Sequence, residues 1–137
     1  MNGFALVALV PVRFADTDAM GHVNNAVYLS YLEAARVEYI RRVFGVVEPR
    51  DYGVILARAE IDYKSPVFHH ETILVGCRVE SMGGSSILMD YRLEDKATGR
   101  LVALAKTVMV AYDYKLGKPK RLSPEWRSKM EEFDGIA

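Results

Sequence analysis

Residues 26–44, AVYLSYLEAARVEYIRRVF, form the most regular pattern in this chain. Their apolar side chains recur at helical spacing, in one stripe made of Tyr28, Leu32, Ala35, Tyr39 and Val43. Arg41 and Arg42 stand in the last turn, where the helix dipole favours cations, and Gly45 suits the helix end. Because most of the remaining helix surface is also apolar, the pattern predicts a long central helix wrapped by a sheet.

Five strand-like segments lie around the predicted helix. They are residues 6–14, 57–64, 73–80, 87–94 and 101–112. The middle three alternate apolar and polar side chains with period two. Segment 101–112 is apolar on both faces through Ala105, which predicts a central or covered strand. Gly83 and Gly84 predict a hairpin turn, and Ser123 followed by Pro124 predicts the start of a short helix.

The order of these elements is a strand, a long helix, a four-strand meander and a short helix. It predicts an α+β fold in one domain over residues 1–137. One antiparallel five-stranded sheet, wrapped around the long central helix, satisfies this order. By periodicity alone, other α+β topologies fit it as well.

Composition and charge narrow the classes of function. Lys plus Arg number 18 and Asp plus Glu number 18, so the net charge is zero and no basic excess points to nucleic acid. A membrane-spanning helix needs about 20 apolar residues, and the apolar N-terminal segment is shorter than that. The single cysteine, Cys77, cannot form an internal disulfide. We therefore expect a soluble cytoplasmic protein that does not enter a membrane.

The segment Asp16–Asn25, DTDAMGHVNN, holds more polar groups than helix capping needs. A carboxylate such as Asp18 can attack a carbonyl or activate a water. Unpaired N–H groups at the helix N-terminus, near Asn25, suit a developing oxyanion. Gly21 allows a sharp turn and a close approach of the backbone to a ligand. The segment thus combines a base or nucleophile with an anion site.

This loop resembles the active-site loop of the hotdog-fold acyl-CoA thioesterases of the 4-hydroxybenzoyl-CoA thioesterase type. In that family the motif is Asp-x-Asp, then Gly, then a helix with a Tyr near its start. The resemblance assigns the catalytic carboxylate to Asp18 and a supporting role to Asp16. Residues 59–63 with Pro66 are similar to the second strand of the same family, so the resemblance covers nearly the whole chain.

A second resemblance concerns residues 22–28, which read HVNN-x-x-Y. This portion is similar to the plant acyl-carrier-protein thioesterases. Those enzymes have an Asn two residues after the loop aspartate, where this chain has Met20. The departure argues against an Asn-assisted mechanism and leaves one centred on Asp18.

The family resemblance implies a thioester hydrolase that acts on acyl-CoA or acyl-carrier-protein substrates and needs no cofactor. It implies a homodimer or homotetramer, with the pantetheine arm entering between subunits. The expected substrate-binding residues are Gly21, His22, Asn25 and Tyr28. His22 either orients the substrate or braces the loop, and the backbone N–H of Asn25 is the expected oxyanion donor. Asn24 and Asn25 are also good helix caps.

Several other chemistries fit the sequence less well. Asp16, Asp18 and His22 alone make a weak metal site, so no metal is predicted. An enoyl-CoA hydratase of the same fold needs Asp and His five residues apart, and Asp18 and His22 are four apart. The non-enzymatic alternative is a binding module for acyl-CoA or acyl-carrier protein. A basic run is either solvated surface or a site for the phosphates of coenzyme A, and its members are Lys115, Lys118, Lys120 and Arg121. Arg58 and Lys64 are competing candidates for the same phosphates.

Overall fold

A computed structural model describes residues 1–136 and contains the elements that the apolar patterns predict. In chain order they are β1 Leu6–Pro11, α1 Tyr28–Phe44, β2 Val54–Tyr63, β3 Thr72–Met82, β4 Ser86–Asp95, β5 Leu101–Asp113, β6 Lys118–Pro119 and α2 Pro124–Asp134. Short 3-10 turns lie at Phe14–Asp16, Asn25–Val27 and Pro49–Asp51. No helix in this described range is long and apolar enough to cross a lipid bilayer.

Helix α1 is the central element, and the sheet covers one side of it. It packs against β1 and β3. Its buried side chains are Tyr28, Tyr31, Leu32, Ala35, Arg36, Tyr39 and Ile40. The helix ends at Gly45, which has the left-handed conformation that the sequence predicts there, with φ of 71°. Leu29 is 43% exposed, so the other side of the helix is open in the single chain.

The long strands form one antiparallel sheet in the order β1-β3-β4-β5-β2, and the short β6 pairs with β5. A curled antiparallel sheet around one long helix is the hotdog arrangement, and this confirms the predicted fold. β5 has a neighbour on each side, which agrees with the central position predicted for it. The side chains that point from the sheet towards α1 include Val75, Cys77, Tyr91 and Leu93, all of them fully buried.

The predicted four-strand meander is wrong for β2. This strand pairs with β5 at the far edge of the sheet, with Tyr63 opposite Ala103, so β5 and β4 lie between it and β3. Period-two alternation shows which face of a strand is buried, but it does not show which strands are neighbours. The first strand also ends at Pro11 rather than at Phe14, because a 3-10 turn begins at Phe14.

Asp134 fastens helix α2 to the core. Its carboxylate accepts a hydrogen bond of 2.6 Å from the Tyr39 hydroxyl and one of 2.9 Å from the Val79 N–H. At the other end of the helix the Ser123 side chain accepts a hydrogen bond from the Trp126 N–H at 3.1 Å, which confirms the predicted N-cap. Both ends of α2 are therefore held by side chains.

Replacing Asp134 by alanine should lower the free energy of unfolding by about 2 kcal/mol, because the Tyr39 hydroxyl and the Val79 N–H lose their acceptor. Urea denaturation measures this loss. Glu132→Ala is the matched control, since Glu132 is an exposed carboxylate on the same helix, and it should cost less than about 0.5 kcal/mol. Equal losses in the two variants would contradict the role given to Asp134.

Candidate active site

Asp16 holds the β1–α1 loop in place and is only 3% exposed. Its carboxylate accepts hydrogen bonds from the Arg13 backbone N–H at 3.0 Å, from the Arg13 guanidinium at 2.9 and 3.1 Å, and from the Tyr31 hydroxyl at 2.8 Å. The Asp16 carbonyl accepts a hydrogen bond from the Asn24 N–H at 2.9 Å. Asp16 therefore ties both ends of the loop to the helix, as a supporting residue would.

These hydrogen bonds also set the charge of Asp16. Burial alone would raise the pKa of its carboxyl, but the hydrogen bonds from Arg13 and Tyr31 outweigh burial and hold the pKa below the ordinary value of 3.8. Burial, and then the hydrogen bond to Asp16, raise the pKa of the Tyr31 phenol. At neutral pH the two groups are a carboxylate and a neutral phenol, and both carboxylate oxygens are occupied.

Asp18 lies on the outer part of the loop, and its side chain is 32% exposed. Its Oδ1 accepts a hydrogen bond from the Met20 N–H at 2.9 Å, and no described residue donates to its Oδ2. The Asp18 N–H donates to the His22 carbonyl at 2.9 Å, and the Gly21 N–H donates to the Asp18 carbonyl at 3.0 Å. A carboxylate with a fixed backbone and one open oxygen suits a nucleophile or a general base.

Gly21 and His22 form the turn after Asp18. Gly21 has a φ of 85°, a left-handed conformation that favours glycine. A Cβ added to Gly21 would meet no atom within 4 Å, so the space beside the turn is open and only the backbone conformation favours glycine here. The His22 Nδ1 lies 4.0 Å from Asp18 Oδ1, and the His22 side chain is 37% exposed. This distance is too long for a hydrogen bond, so His22 stands beside Asp18 without binding it.

The helix start follows directly after this turn. Val23 anchors the chain, with its N–H 2.8 Å from the Val67 carbonyl. Asn24 is the N-cap, and its side-chain oxygen accepts a hydrogen bond from the Ala26 N–H at 2.9 Å. Within the described part of the chain no acceptor is in hydrogen-bonding geometry with the Asn25 N–H. This donor at the positive end of the helix dipole is therefore available to a ligand.

Two tyrosines support the helix start. Tyr63, the last residue of β2, donates a hydrogen bond of 2.9 Å from its hydroxyl to the Asn25 carbonyl. Its ring meets the Tyr28 ring edge-on, with 4.9 Å between the centroids. Tyr28 is 3% exposed, and burial, with a contribution from Tyr63, raises the pKa of its phenol. Tyr28 thus lies at the predicted site with its ring packed, and Tyr63 is a site residue that the loop motif does not include.

Other residues with reactive or charged groups lie outside this loop. Cys77 is fully buried, and burial raises the pKa of its thiol, so it packs as a small apolar side chain. The basic run begins after β5, where Lys118 lies opposite Asp113, at the other end of β2 from Tyr63. That separation is about 30 Å along the strand. Among residues 1–136, no three His, Cys, Asp or Glu side chains converge on one point.

The fold and the loop together define a class of protein: a hotdog domain with a carboxylate loop at the start of its central helix. The model of the thioesterase-like superfamily matches residues 12–130 of this sequence. The chain therefore belongs to the thioesterase-like superfamily, and the resemblance seen in the loop is confirmed.

Relatives with known names agree with this assignment. The long-chain acyl-CoA thioesterase FadM of Escherichia coli is 26% identical over 126 residues, which are 90% of this chain and 96% of FadM. The chloroplastic acyl-acyl carrier protein thioesterase ATL3 of Arabidopsis thaliana is 29% identical over 125 residues, 89% of this chain and 65% of that protein. The crystal structure of a Thermus thermophilus thioesterase complexed with coenzyme A and Zn is 34% identical, with a TM-score of 0.88, and the match covers 100% of this chain and 99% of that chain. The chain is a thioester hydrolase.

Proposed function

We propose that this protein hydrolyses acyl-CoA thioesters to a free acid and coenzyme A, with Asp18 as the catalytic carboxylate. The observation that supports this role most directly is the Asp18 Oδ2, which accepts no hydrogen bond from the described residues, on a loop that Asp16 holds in place. FadM is an acyl-CoA thioesterase and the Thermus structure contains coenzyme A, which supports coenzyme A as the carrier. The name of the Arabidopsis relative makes an acyl-carrier protein the alternative carrier.

The Asp18 carboxylate can act by two routes. As a nucleophile, its Oδ2 attacks the thioester carbonyl, the thiolate leaves and takes a proton from water, and a second water hydrolyses the mixed anhydride. As a general base, it removes a proton from the water that attacks the carbonyl, and that proton passes to the leaving thiolate. Both routes release one free acid and one free thiol, and the loop geometry serves either.

In this proposal the start of the helix stabilises the oxyanion. The N–H of Asn25 donates to the carbonyl oxygen as negative charge develops on it, and the positive end of the helix dipole adds to the effect. Tyr63 donates a hydrogen bond to the Asn25 carbonyl, in the peptide that follows this N–H, and so helps to fix the backbone at Asn25. Gly21 leaves space for the substrate beside the backbone, His22 orients the substrate, and Tyr28 contributes to the wall of the acyl site.

Release of free thiol tests the proposal. Purified protein is incubated with acetyl-, decanoyl-, palmitoyl- and benzoyl-CoA, and thiol is followed with a colorimetric reagent. We expect turnover of at least one of these thioesters. The same assay with the matching acyl-carrier-protein thioester decides between the two carriers. A protein that releases no thiol from any of them, but melts at a higher temperature with coenzyme A, is a binding module instead of an enzyme.

We also propose a cytoplasmic location. The chain has one cysteine, Cys77, which is buried and cannot form an internal disulfide. A free thiol of this kind is typical of the cytosol, where glutathione and thioredoxin keep cysteines reduced. Fractionation of cells with an antibody to the protein checks this location.

We further propose that two copies of the chain pair along β2. This strand is an edge of the sheet, and Leu56 and Tyr63 on it are 44% and 47% exposed. Helix α1 packs mainly on β1 and β3, so part of β2 stays exposed at the edge of the sheet. Antiparallel pairing of β2 with a second β2 would satisfy the open hydrogen-bonding edge and continue the sheet from one copy into the other. It would also bring the basic run of the second copy towards the loop of the first, where the phosphates of coenzyme A could meet it.

Replacing Leu56 by lysine should shift the protein from dimer to monomer, because the lysine places a charge on the β2 surface that the second copy covers. Light scattering coupled to size exclusion measures the molar mass. Leu9→Lys is the matched control, since Leu9 is 53% exposed on β1, the opposite edge of the sheet. A wild-type monomer, or the same mass for both variants, would refute the β2 interface.

A further inference from the structure

We propose that Tyr63 is a positioning residue for catalysis: its hydroxyl fixes the backbone of Asn25, so that the Asn25 N–H points in one direction when the oxyanion forms. This inference rests on the proposed function and deepens it, since it concerns the same reaction. Tyr63 acts through the peptide next to the donor and does not need to touch the substrate. Its contribution should therefore appear in kcat and leave KM nearly unchanged.

The donor belongs to the peptide group that joins Asn24 and Asn25. The carbonyl of this group, that of Asn24, accepts a hydrogen bond from the Val27 N–H at 2.9 Å, whereas no described residue accepts from the Asn25 N–H. One end of the group is thus fixed and the other end is open to a ligand. Because this group and the next one share the Asn25 Cα, the direction of the open N–H depends on how the next group is held.

The next peptide group, between Asn25 and Ala26, is held at both ends. The Ala26 N–H donates to the Asn24 side chain at 2.9 Å, and the Asn25 carbonyl accepts from the Tyr63 hydroxyl at 2.9 Å. Since each peptide group is planar, these contacts leave little freedom in the two backbone torsions of Asn25. The contacts of Asn24 and Val27 lie within the helix start itself. The contact of Tyr63 is the one of the three that ties this backbone to the sheet.

Tyr63 comes from a well-supported end of β2. It lies opposite Ala103 on β5. The two residues that follow it, Lys64 and Ser65, both donate their N–H groups to the Val102 carbonyl, at 2.9 and 3.2 Å. The chain is therefore pinned to β5 on both sides of the point where the tyrosine side chain leaves it. A group on such a rigid element positions its partner more precisely than a group on a loop.

The Tyr63 ring keeps its hydroxyl directed at Asn25. It meets the Tyr28 ring edge-on, with 4.9 Å between the centroids, an arrangement that aromatic pairs favour. Tyr28 is the first residue of α1 and is 3% exposed, so it is a fixed neighbour. Tyr63 itself is 47% exposed, so water can replace its hydrogen bond at a small cost in stability. The effect of the hydroxyl on geometry can therefore be measured separately from its effect on folding.

Tyr63→Phe removes the hydroxyl and keeps the ring on Tyr28. We expect kcat for the best acyl-CoA to fall about tenfold, because a small displacement of a catalytic group costs a large factor in rate, and we expect KM to stay within about twofold. The melting temperature should stay within about 2 °C of wild type. Tyr114→Phe is the matched control, since Tyr114 is 61% exposed beyond the end of β5. It should leave kcat and KM unchanged.

Binding of two ketone analogues separates the transition state from the ground state. Trifluoroacetonyl-CoA forms a tetrahedral adduct at its ketone and so places an oxyanion at the Asn25 N–H, whereas acetonyl-CoA stays trigonal. In Tyr63→Phe the affinity for trifluoroacetonyl-CoA should fall about tenfold, in step with kcat, and the affinity for acetonyl-CoA should change by less than about twofold. Equal losses of affinity for the two analogues would make Tyr63 a binding residue, which overturns the inference.

Backbone amide relaxation in NMR tests Tyr63 without turnover. The order parameter of the Asn25 N–H should be about 0.85 in wild type, as in rigid backbone, and should fall towards about 0.6 in Tyr63→Phe. The inference is overturned if Tyr63→Phe keeps the wild-type kcat, or if the order parameter is the same in the two proteins. If wild type hydrolyses no thioester, the proposed function fails, and the order parameter still shows whether Tyr63 holds the Asn25 backbone.

Discussion

Replacing Asp18 by asparagine should reduce kcat for the best acyl-CoA by about a hundredfold or more, because an amide can neither attack the thioester carbonyl nor accept the proton of a water. Asparagine is almost isosteric with aspartate, and its side-chain oxygen can still accept the hydrogen bond from the Met20 N–H. The loop should therefore keep its shape. The measurement is thiol release at saturating substrate, with the melting temperature of each protein alongside.

Asp51→Asn is the matched control, because Asp51 is an exposed aspartate in the turn after α1, away from the loop. It should leave kcat unchanged. If Asp18→Asn keeps full activity, the catalytic carboxylate lies elsewhere, although the superfamily assignment stands. If Asp18→Asn loses activity together with several degrees of melting temperature, the loss reflects a collapsed loop. In that case, measurements below the melting temperature of the variant separate structure from chemistry.

Replacing Asp16 by asparagine should lower the free energy of unfolding by about 2 kcal/mol, since the carboxylate accepts four hydrogen bonds at 3% exposure. In asparagine an NH₂ group replaces one carboxylate oxygen, so it would place a donor against the donors of Arg13 or Tyr31. We expect kcat to fall about tenfold as well, because a loop displaced at Asp16 misplaces Asp18. Urea denaturation and thiol release measure the two effects.

The stability difference between wild type and Asp16→Asn should depend on pH. The folded pKa of Asp16 is lowered, so its contribution to stability is present above the ordinary value of 3.8 and is lost as pH falls through the lower folded value. The difference should be constant from pH 7 to about 5 and should shrink below about pH 4. Tyr31→Phe removes one of the four donors and should cost less. A pH-independent difference would contradict this account.

Much of the fold could be predicted because burial leaves a periodic trace in the sequence. The stripe on α1, the alternation in β3 and β4, the helix end at Gly45 and the helix start at Ser123 all reflect local preferences of the backbone and of side chains at an interface. The position of β2 has no such trace. Its pairing with β5 joins residues that are far apart in the sequence, and nothing in the alternation of β2 distinguishes one edge of the sheet from the other.

The same contrast holds for the candidate site. The loop motif indicated Asp16, Asp18 and Gly21, whose roles depend on chain segments close in sequence. Tyr63 reaches Asn25 from the end of a distant strand, so its part depends on topology. Outside the loop, Arg36 is buried on α1, although helical periodicity assigns a charged residue to solvent by default. Its contact with Tyr91 on the sheet cannot be seen in the helix sequence.

The place of β2 at the far edge of the sheet also bears on how the chain folds. β3, β4 and β5 are joined by short turns and can pair in sequence order at a small cost in loop entropy. β2 can join the sheet only after β5 has formed, because Val54 pairs with Ala111 and Tyr63 pairs with Ala103. Tyr63 fastens the start of α1 through Asn25. The three strands β3, β4 and β5 should therefore pair early, and the β1–α1 loop should gain its final geometry among the last steps of folding.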